Sequence, residues 1–200
     1  MKTDWSNREN LVIPTPDMSQ GRVLHQGGGD LVYLLHGHLY YASGREDVDI
    51  SPYLHRDDIH TLLYPSTKSV SRWLMYKGGT HCPAGRLPSC ARMADFYERF
   101  SPWPVDVAYL EHLRSLGEKV YASYEGNELA SLAYSTKGTR QLVSLFTRPD
   151  MRGRGHASAL LSQAGDVHIF VDDPHLVPFY NDRGFEVVKT YCLLDRRRYR

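Results

Sequence analysis

The chain has 200 residues, of which 42% are hydrophobic and 24% are charged, as in an ordinary soluble globular protein. Its formal charge of +1, from 24 basic and 23 acidic residues, argues against a broad nucleic-acid-binding surface, although not against a local one. Residues 1–10 lack the apolar centre of a signal peptide, and no run of about eighteen apolar residues exists, so we predict a cytoplasmic protein without membrane contact. Three cysteines are too few and too scattered for a disulfide framework.

Short strands are predicted near the N-terminus, after an irregular, proline-containing lead-in over residues 1–20. The strands span residues 22–26, 30–35 and 38–42. Because glycines separate these runs, we expect them to form a small meander.

Three helices are predicted next, each opened by a serine that can cap its first turn. They cover residues 51–63, 67–76 and 90–100, with Ser51, Ser66 and Ser89 at their starts.

Beyond residue 104 the pattern predicts helix, hairpin, strand, helix, strand, helix and strand. The predicted elements are a helix at 105–116, paired strands at 119–124 and 129–134, a strand at 141–146, a helix from about 157 to 165, a strand at 167–171, a helix at 177–184 and a strand at 185–194. This order indicates an α/β fold with a mixed sheet, antiparallel at first and parallel where a helix crosses over.

A basic loop with two glycines lies between the strand at 141–146 and the helix that follows. Gly153 and Gly155 let the backbone turn its N–H groups inward, and the first helical turn adds unpaired N–H donors. Arg152 and Arg154 add positive charge. The pattern favours a phosphate-binding loop, with an ordinary tight turn as the open alternative.

Two blocks of this half resemble the GNAT acyltransferase superfamily. Arg152-x-x-Gly155-x-Ala157 is similar to its Arg/Gln-x-x-Gly-x-Gly/Ala pyrophosphate loop, and Thr147-x-Pro149 is similar to the end of its central strand. Residues 178–186, PFYNDRGFE, resemble its FYxxxGF block. The resemblance covers roughly residues 105–195 and implies a GNAT-like mixed, splayed central sheet flanked by helices, here with an N-terminal extension of short strands and helices.

Acetyl-CoA is the co-substrate that the resemblance implies, with its pantetheine paired to strand backbone in the gap where the sheet splays. The implied cofactor-binding residues are Leu145, Phe146, Thr147, Arg152, Gly153, Arg154, Gly155, His156, Ala157 and Asp173. Asp173 stands where relatives often carry an asparagine.

Tyr180 is the catalytic residue that the resemblance implies, as the acid that protonates the leaving thiolate. A phenol can donate a proton without carrying a net charge. The alternative interpretation is a core aromatic that packs with Phe179 and Phe185.

The general base stays unassigned. Many relatives place a glutamate on the central strand, but residues 141–147 contain no carboxylate. Asp172 and Asp173 could accept a proton directly or through water, or they could cap the following helix or stay solvated. We interpret His168 as structural.

Histidine and cysteine are scattered through the first hundred residues, and we predict no metal site. His36-x-His38 shares a strand face, and His81-Cys82 with Cys90 could suggest zinc, but the spacing fits no standard zinc pattern. Residues 196–200 form an arginine-rich tail, either solvated or able to contact a phosphate backbone.

The Ser-Pro-Trp-Pro segment at 101–104 is the clearest break, so we predict an N-terminal region at 1–103 and an acyl-CoA-binding core at 104–200. The N-terminal region would pack on the core and supply the acceptor side or a partner surface.

The predicted function is transfer of an acetyl group from acetyl-CoA to an amine by direct attack on the thioester. One alternative is the same chemistry on a nucleic-acid-linked amine, such as a modified base or an aminoacylated RNA. Another is a non-catalytic CoA-binding interaction module.

Overall fold

The structure is a computed structural model that describes residues 22–35, 38–43, 45–80, 86–101, 105–135 and 140–195. The chain forms two compact units. The first comprises the described residues of Met1–Met75, Phe170–Asn181 and Glu186–Arg200, and the second comprises those of Tyr76–Ile169 and Asp182–Phe185. The predicted lead-in at 1–20 lies outside the described residues, as do 102–104 of the predicted boundary segment. The boundary at residue 104 stays a prediction.

The first unit begins with the predicted meander, which is confirmed. Its strands are β1 (Arg22–Gly27), β2 (Asp30–Leu35) and β3 (His38–Ser43), each antiparallel to the next. Gly28 and Gly29 form the turn between the first two strands, with φ of 61° and 85°. Glycine suits this left-handed turn because it has no Cβ to clash.

The next two segments are strands, so the predicted helices over 51–63 and 67–76 are wrong. Only one 3-10 turn forms, at Ser51–Tyr53, and it is followed by β4 (Thr61–Pro65) and β5 (Arg72–Lys77). β4 is almost entirely buried, and it pairs with β3 on one side and with the last strand, β10 (Glu186–Asp195), on the other. A strand that is buried on both faces has a continuous apolar run instead of an alternation.

Ser66 shows why a serine with capping geometry does not by itself predict a helix. Its hydroxyl accepts the N–H groups of Lys68 and Ser69 at 3.3 and 3.2 Å, as an N-cap does. Asp47 holds the same segment by accepting the Thr67 N–H at 3.1 Å. The cap therefore closes a turn that leads into β5, and no helix starts there.

A seven-stranded sheet has the order β1-β2-β3-β4-β10-β5-β9, where β9 is Val167–Val171. In the first unit, one core cluster contains Val32, Leu39, Ile59 and Leu62. The helix α4 (Val177–Asn181) also belongs to this unit and begins at the predicted residue.

The second unit matches the predicted order closely. Its elements are α1 (Cys90–Phe100), α2 (Val107–Ser115), β6 (Lys119–Glu125), β7 (Glu128–Ser135), β8 (Leu142–Thr147) and α3 (His156–Gln163). Ser89 caps α1 by accepting the Arg92 N–H at 3.2 Å, as predicted. β6, β7 and β8 form an antiparallel three-stranded sheet.

The buried face of α2 is narrower than the stripe of apolar residues that its sequence carries at every third position from Val107 to Leu116. Leu110 and Leu113 are buried in the core cluster of this unit, whereas Val107 and Leu116 are 37% and 48% exposed. Each step of three residues falls about 60° short of a full turn, so the stripe drifts away from the core at both ends.

Gly165 lies where a side chain has no room, which gives a first testable prediction. A Cβ at this position would stand 2.5 Å from the carbonyl oxygen of Thr80 and 2.7 Å from that of Gly79. Because both neighbours are backbone, Gly165→Ala should lower the free energy of unfolding by about 1–3 kcal/mol, measured by urea denaturation. Gly78→Ala is the control, since its Cβ would be 3.5 Å from the nearest atom and should change stability by at most about 0.5 kcal/mol. Equal stability of the two variants would contradict this packing.

Within the described segments, no helix combines the length and the apolar character needed to cross a bilayer.

Candidate functional site

The sheet splays at the start of β8, as the resemblance implies. A single parallel bridge joins Gln141, just before β8, to His168 on β9, and the His168 N–H donates to the Arg140 carbonyl at 2.9 Å. In the part of the chain that the structure describes, no further pairing joins the two strands, and each continues in its own sheet. One edge of β8 therefore has no strand partner among the described residues, and we call it the open edge.

Thr147 presents both of its backbone polar groups to that open edge. The neighbouring groups point the other way, because the Arg148 N–H donates to the Ala130 carbonyl at 2.9 Å and the Phe146 carbonyl accepts from the Ser131 hydroxyl at 3.0 Å. The N–H and C=O of one strand residue point in the same direction, opposite to those of its neighbours. The Thr147 carbonyl accepts from Arg152 Nε at 3.3 Å.

A β-bulge deforms β8 at Ser144, which the sequence did not predict. Ser144 has φ of 52°, and the register with β7 shifts opposite it. Tyr97 stabilises the bulge by donating its hydroxyl to the Ser144 carbonyl at 2.8 Å, and Ser144 Oγ donates to the Tyr134 hydroxyl at 3.3 Å. No glycine or asparagine marks this left-handed position, so the signal is in the tertiary contacts and not in the local sequence.

The loop after β8 has the backbone geometry that its glycines predict. Gly153 and Gly155 have φ of 75° and 85°, and α3 begins immediately after Gly155. Both glycines are exposed, and no atom of the described residues lies within 4 Å of where a Cβ would stand on either. The first turn of α3 has no side-chain cap within the described chain. An open space thus adjoins the N-terminal N–H groups of α3, which favour anions.

The two loop arginines have different partners. The Arg152 guanidinium lies 5.4 Å from the centre of the Phe146 ring, over its face. Arg154 binds both oxygens of Glu125, at 2.9 and 3.0 Å, so its charge is compensated by a carboxylate at the end of β6. The hydrogen bond from His156, together with the charge of Arg154, lowers the pKa of Glu125.

His156 points away from the open loop and toward β6. Its Nδ1 lies 3.1 Å from Ser123 Oγ and its Nε2 lies 3.2 Å from Glu125 Oε2. The side chain is 11% exposed. Neither Ser123 nor Glu125 was a predicted site residue; both lie about thirty positions earlier, and their i, i+2 spacing on one strand is the only signal that could have indicated them.

Tyr180 and Asp173 belong to the first unit. Tyr180 is 6% exposed, and its ring packs edge-on against that of Phe179 with 5.1 Å between the ring centroids. This contact is one that the alternative interpretation of Tyr180, as a core aromatic, includes. Asp173 caps the 3-10 turn Pro174–Leu176 by accepting the His175 N–H at 2.9 Å. Their assigned roles in catalysis and cofactor binding stay predictions.

The other candidates for proton transfer have structural partners. Asp172 accepts from the Arg72 guanidinium at 2.7 Å. His168 is 9% exposed, and its ring lies 4.8 Å from that of Tyr76, as a structural histidine would.

Among the described residues, no three His, Cys, Asp or Glu side chains are grouped so that they could hold a metal ion. The predicted candidates His36, His81 and Cys82 and the arginine-rich residues 196–200 lie outside the described part of the chain.

Solved structures of acetyltransferases from the GNAT family are similar to this chain in fold. A solved acetyltransferase of the GNAT family from Colwellia psychrerythraea is 9% identical with a TM-score of 0.57, over 94% of this chain and 92% of that one. A GNAT-family protein from Novosphingobium aromaticivorans is 16% identical with a TM-score of 0.49, over 86% and 88% of the two chains. No curated protein matches.

The sequence itself matches the family model for the acetyltransferase (GNAT) domain at residues 91–193, which is more than half of the chain. The match begins earlier than the predicted resemblance and contains both motif blocks, the open edge of β8 and the loop that leads into α3. The chain therefore belongs to the GNAT acetyltransferase family, whose chemistry is acyl transfer from acyl-CoA to an amine.

Proposed function

We propose that this protein is an N-acetyltransferase that transfers the acetyl group of acetyl-CoA to a primary amine by direct attack on the thioester. The observation that carries the proposal is the continuity of two binding surfaces within eleven residues of sequence, 147–157. The open backbone of Thr147 leads directly into an exposed loop with two left-handed glycines and the N-terminus of α3.

The residues of this stretch fit an acyl-CoA in an ordered way. Thr147 offers one N–H donor and one C=O acceptor on the open edge, which suits an amide of an extended pantetheine. The N–H groups around Gly153 and Gly155 would bind the diphosphate, because no Cβ blocks their approach. Arg152 would leave the Thr147 carbonyl when the pantetheine pairs there, and its guanidinium would then be free to bind a phosphate oxygen.

Acyl transfer to an amine requires two proton transfers, one from the acceptor and one to the leaving thiolate. A lysine-like amine with a pKa near 10.4 is neutral only about once in 2,500 at pH 7, equivalent to roughly 4.6 kcal/mol, so the acceptor must lose a proton before or during attack. The thiolate that leaves must gain one. We assign the second transfer to Tyr180. The first has no assigned base: β8 carries no carboxylate, Asp172 is paired with Arg72, and Asp173 caps a turn.

The test is release of free CoA thiol when the protein is mixed with acetyl-CoA and a panel of primary amines, with mass spectrometry of the amine. We expect thiol release that depends on both protein and amine, together with a mass increase of one acetyl group on the amine. Propionyl-CoA and longer acyl-CoAs in the same assay test the acetyl assignment. CoA binding without amine-dependent thiol release would overturn the proposal and favour the non-catalytic CoA-binding module.

A further inference from the structure

A polar chain of three side chains connects the start of α3 to β6. Ser123 Oγ, His156 and the Glu125 carboxylate follow one another at 3.1 and 3.2 Å. Ser123 is buried and Glu125 lies at the exposed end of the strand. Because Arg154 binds the same carboxylate, one residue of β6 holds loop side chains on both sides of Gly155.

We propose that His156 is a positioning residue for acyl-CoA. By tying the first turn of α3 to β6 through Ser123 and Glu125, it fixes the direction of the loop N–H groups that receive the diphosphate. This inference rests on the proposed function and adds a role for a side chain that faces away from the ligand.

The need for such a tie follows from the backbone of the loop. Two glycines in the left-handed region give the segment more conformational freedom than other residues would. The N-terminus of α3 also lacks a side-chain cap in the described chain, so the usual means of fixing a first turn is missing. A loop that is ordered only when the ligand arrives binds more weakly than one that is already ordered. His156 supplies the order in advance with two hydrogen bonds to a strand.

The test compares CoA with pantetheine, which lacks the diphosphate and the 3′-phosphoadenosine attached to it. A residue that positions the diphosphate loop should affect the binding of CoA and not the binding of pantetheine. We expect His156→Ala to weaken CoA binding about tenfold by calorimetry, as loss of two hydrogen bonds would. The Kd for pantetheine, from NMR titration at millimolar concentration, should stay within about twofold of the wild-type value.

Three further variants complete the experiment. His156→Gln, which can still donate and accept, should recover most of the CoA affinity, and Ser123→Ala should weaken it by about threefold, as one lost hydrogen bond would. His112→Ala removes an exposed histidine on α2 in the same unit and should change neither Kd. If His156→Ala fails to fold, Ser123→Ala and His156→Gln carry the same comparison.

Two results would overturn the inference. One is unchanged CoA affinity in His156→Ala and Ser123→Ala. The other is equal weakening of CoA and pantetheine binding with a lowered Tm, which a purely structural histidine would give. Failure of the wild-type protein to bind CoA would instead refute the proposed function, so the two failures are distinguishable.

Discussion

Replacing Tyr180 by phenylalanine should lower kcat by about 10²–10⁴-fold while leaving the Kd for acetyl-CoA unchanged. The thioester breaks faster when the leaving thiolate is stabilised or protonated, and our proposal assigns this proton transfer to the phenol of Tyr180. Phenylalanine keeps the ring that packs against Phe179, so the substitution removes the hydroxyl and little else. Steady-state turnover at saturating acetyl-CoA and amine measures kcat, and calorimetry measures the Kd.

Tyr191→Phe is the matched control for this experiment. Tyr191 is also buried in the first unit, and burial raises the pKa of its phenol. Its hydroxyl has no hydrogen-bond partner in the part of the chain that is described, so its removal should leave kcat unchanged and should not destabilise the protein. A wild-type kcat in Tyr180→Phe would show that Tyr180 is a core aromatic and that the thiolate leaves without its help.

The second half of the fold could be predicted because its elements carry their own local signals. Ser89 caps α1, and Gly126 with Asn127 turns the β6–β7 hairpin. These interactions join residues close in sequence, so one short window contains both partners.

The first half of the fold depends on strand pairing between residues that are far apart in the sequence. Leu62 of β4 pairs with Leu194 of β10, more than a hundred residues away, and this pairing decides that the segment is a strand. A serine before an apolar run favours a helix locally, but the buried position between two strands overrides that preference. The predicted helices failed where local capping and long-range pairing pointed to different structures.

The candidate site likewise contains residues that the local sequence indicates and residues that only tertiary contacts reveal. The loop glycines could be identified from the sequence, because glycine at this spacing directly indicates a backbone that turns through the left-handed region. Ser123, which supports the loop, and Ser144, which bends β8, could not, because each acts through a contact that only the folded sheet creates.

Replacing Gly155 by valine should weaken CoA binding about 100-fold, because the new side chain would both strain the backbone of the loop and occupy the space beside it. At φ of 85° a Cβ crowds the backbone, and β-branched residues tolerate this region worst, which costs about 1–2 kcal/mol of stability. The same side chain would fill the open space beside the loop, where it would keep a diphosphate from the N–H groups of α3. Each charge-assisted hydrogen bond lost there is worth about 1.5–3 kcal/mol.

Gly28→Val separates the two effects. Gly28 is also exposed and left-handed, with φ of 61°, and no described atom lies within 4 Å of its Cβ position, but it lies in the turn between β1 and β2. Both variants should lose similar stability in urea denaturation, whereas only Gly155→Val should lose affinity for CoA. If the two variants bind CoA equally well, the diphosphate does not contact this loop, and the glycines then serve only to turn the chain from β8 into α3.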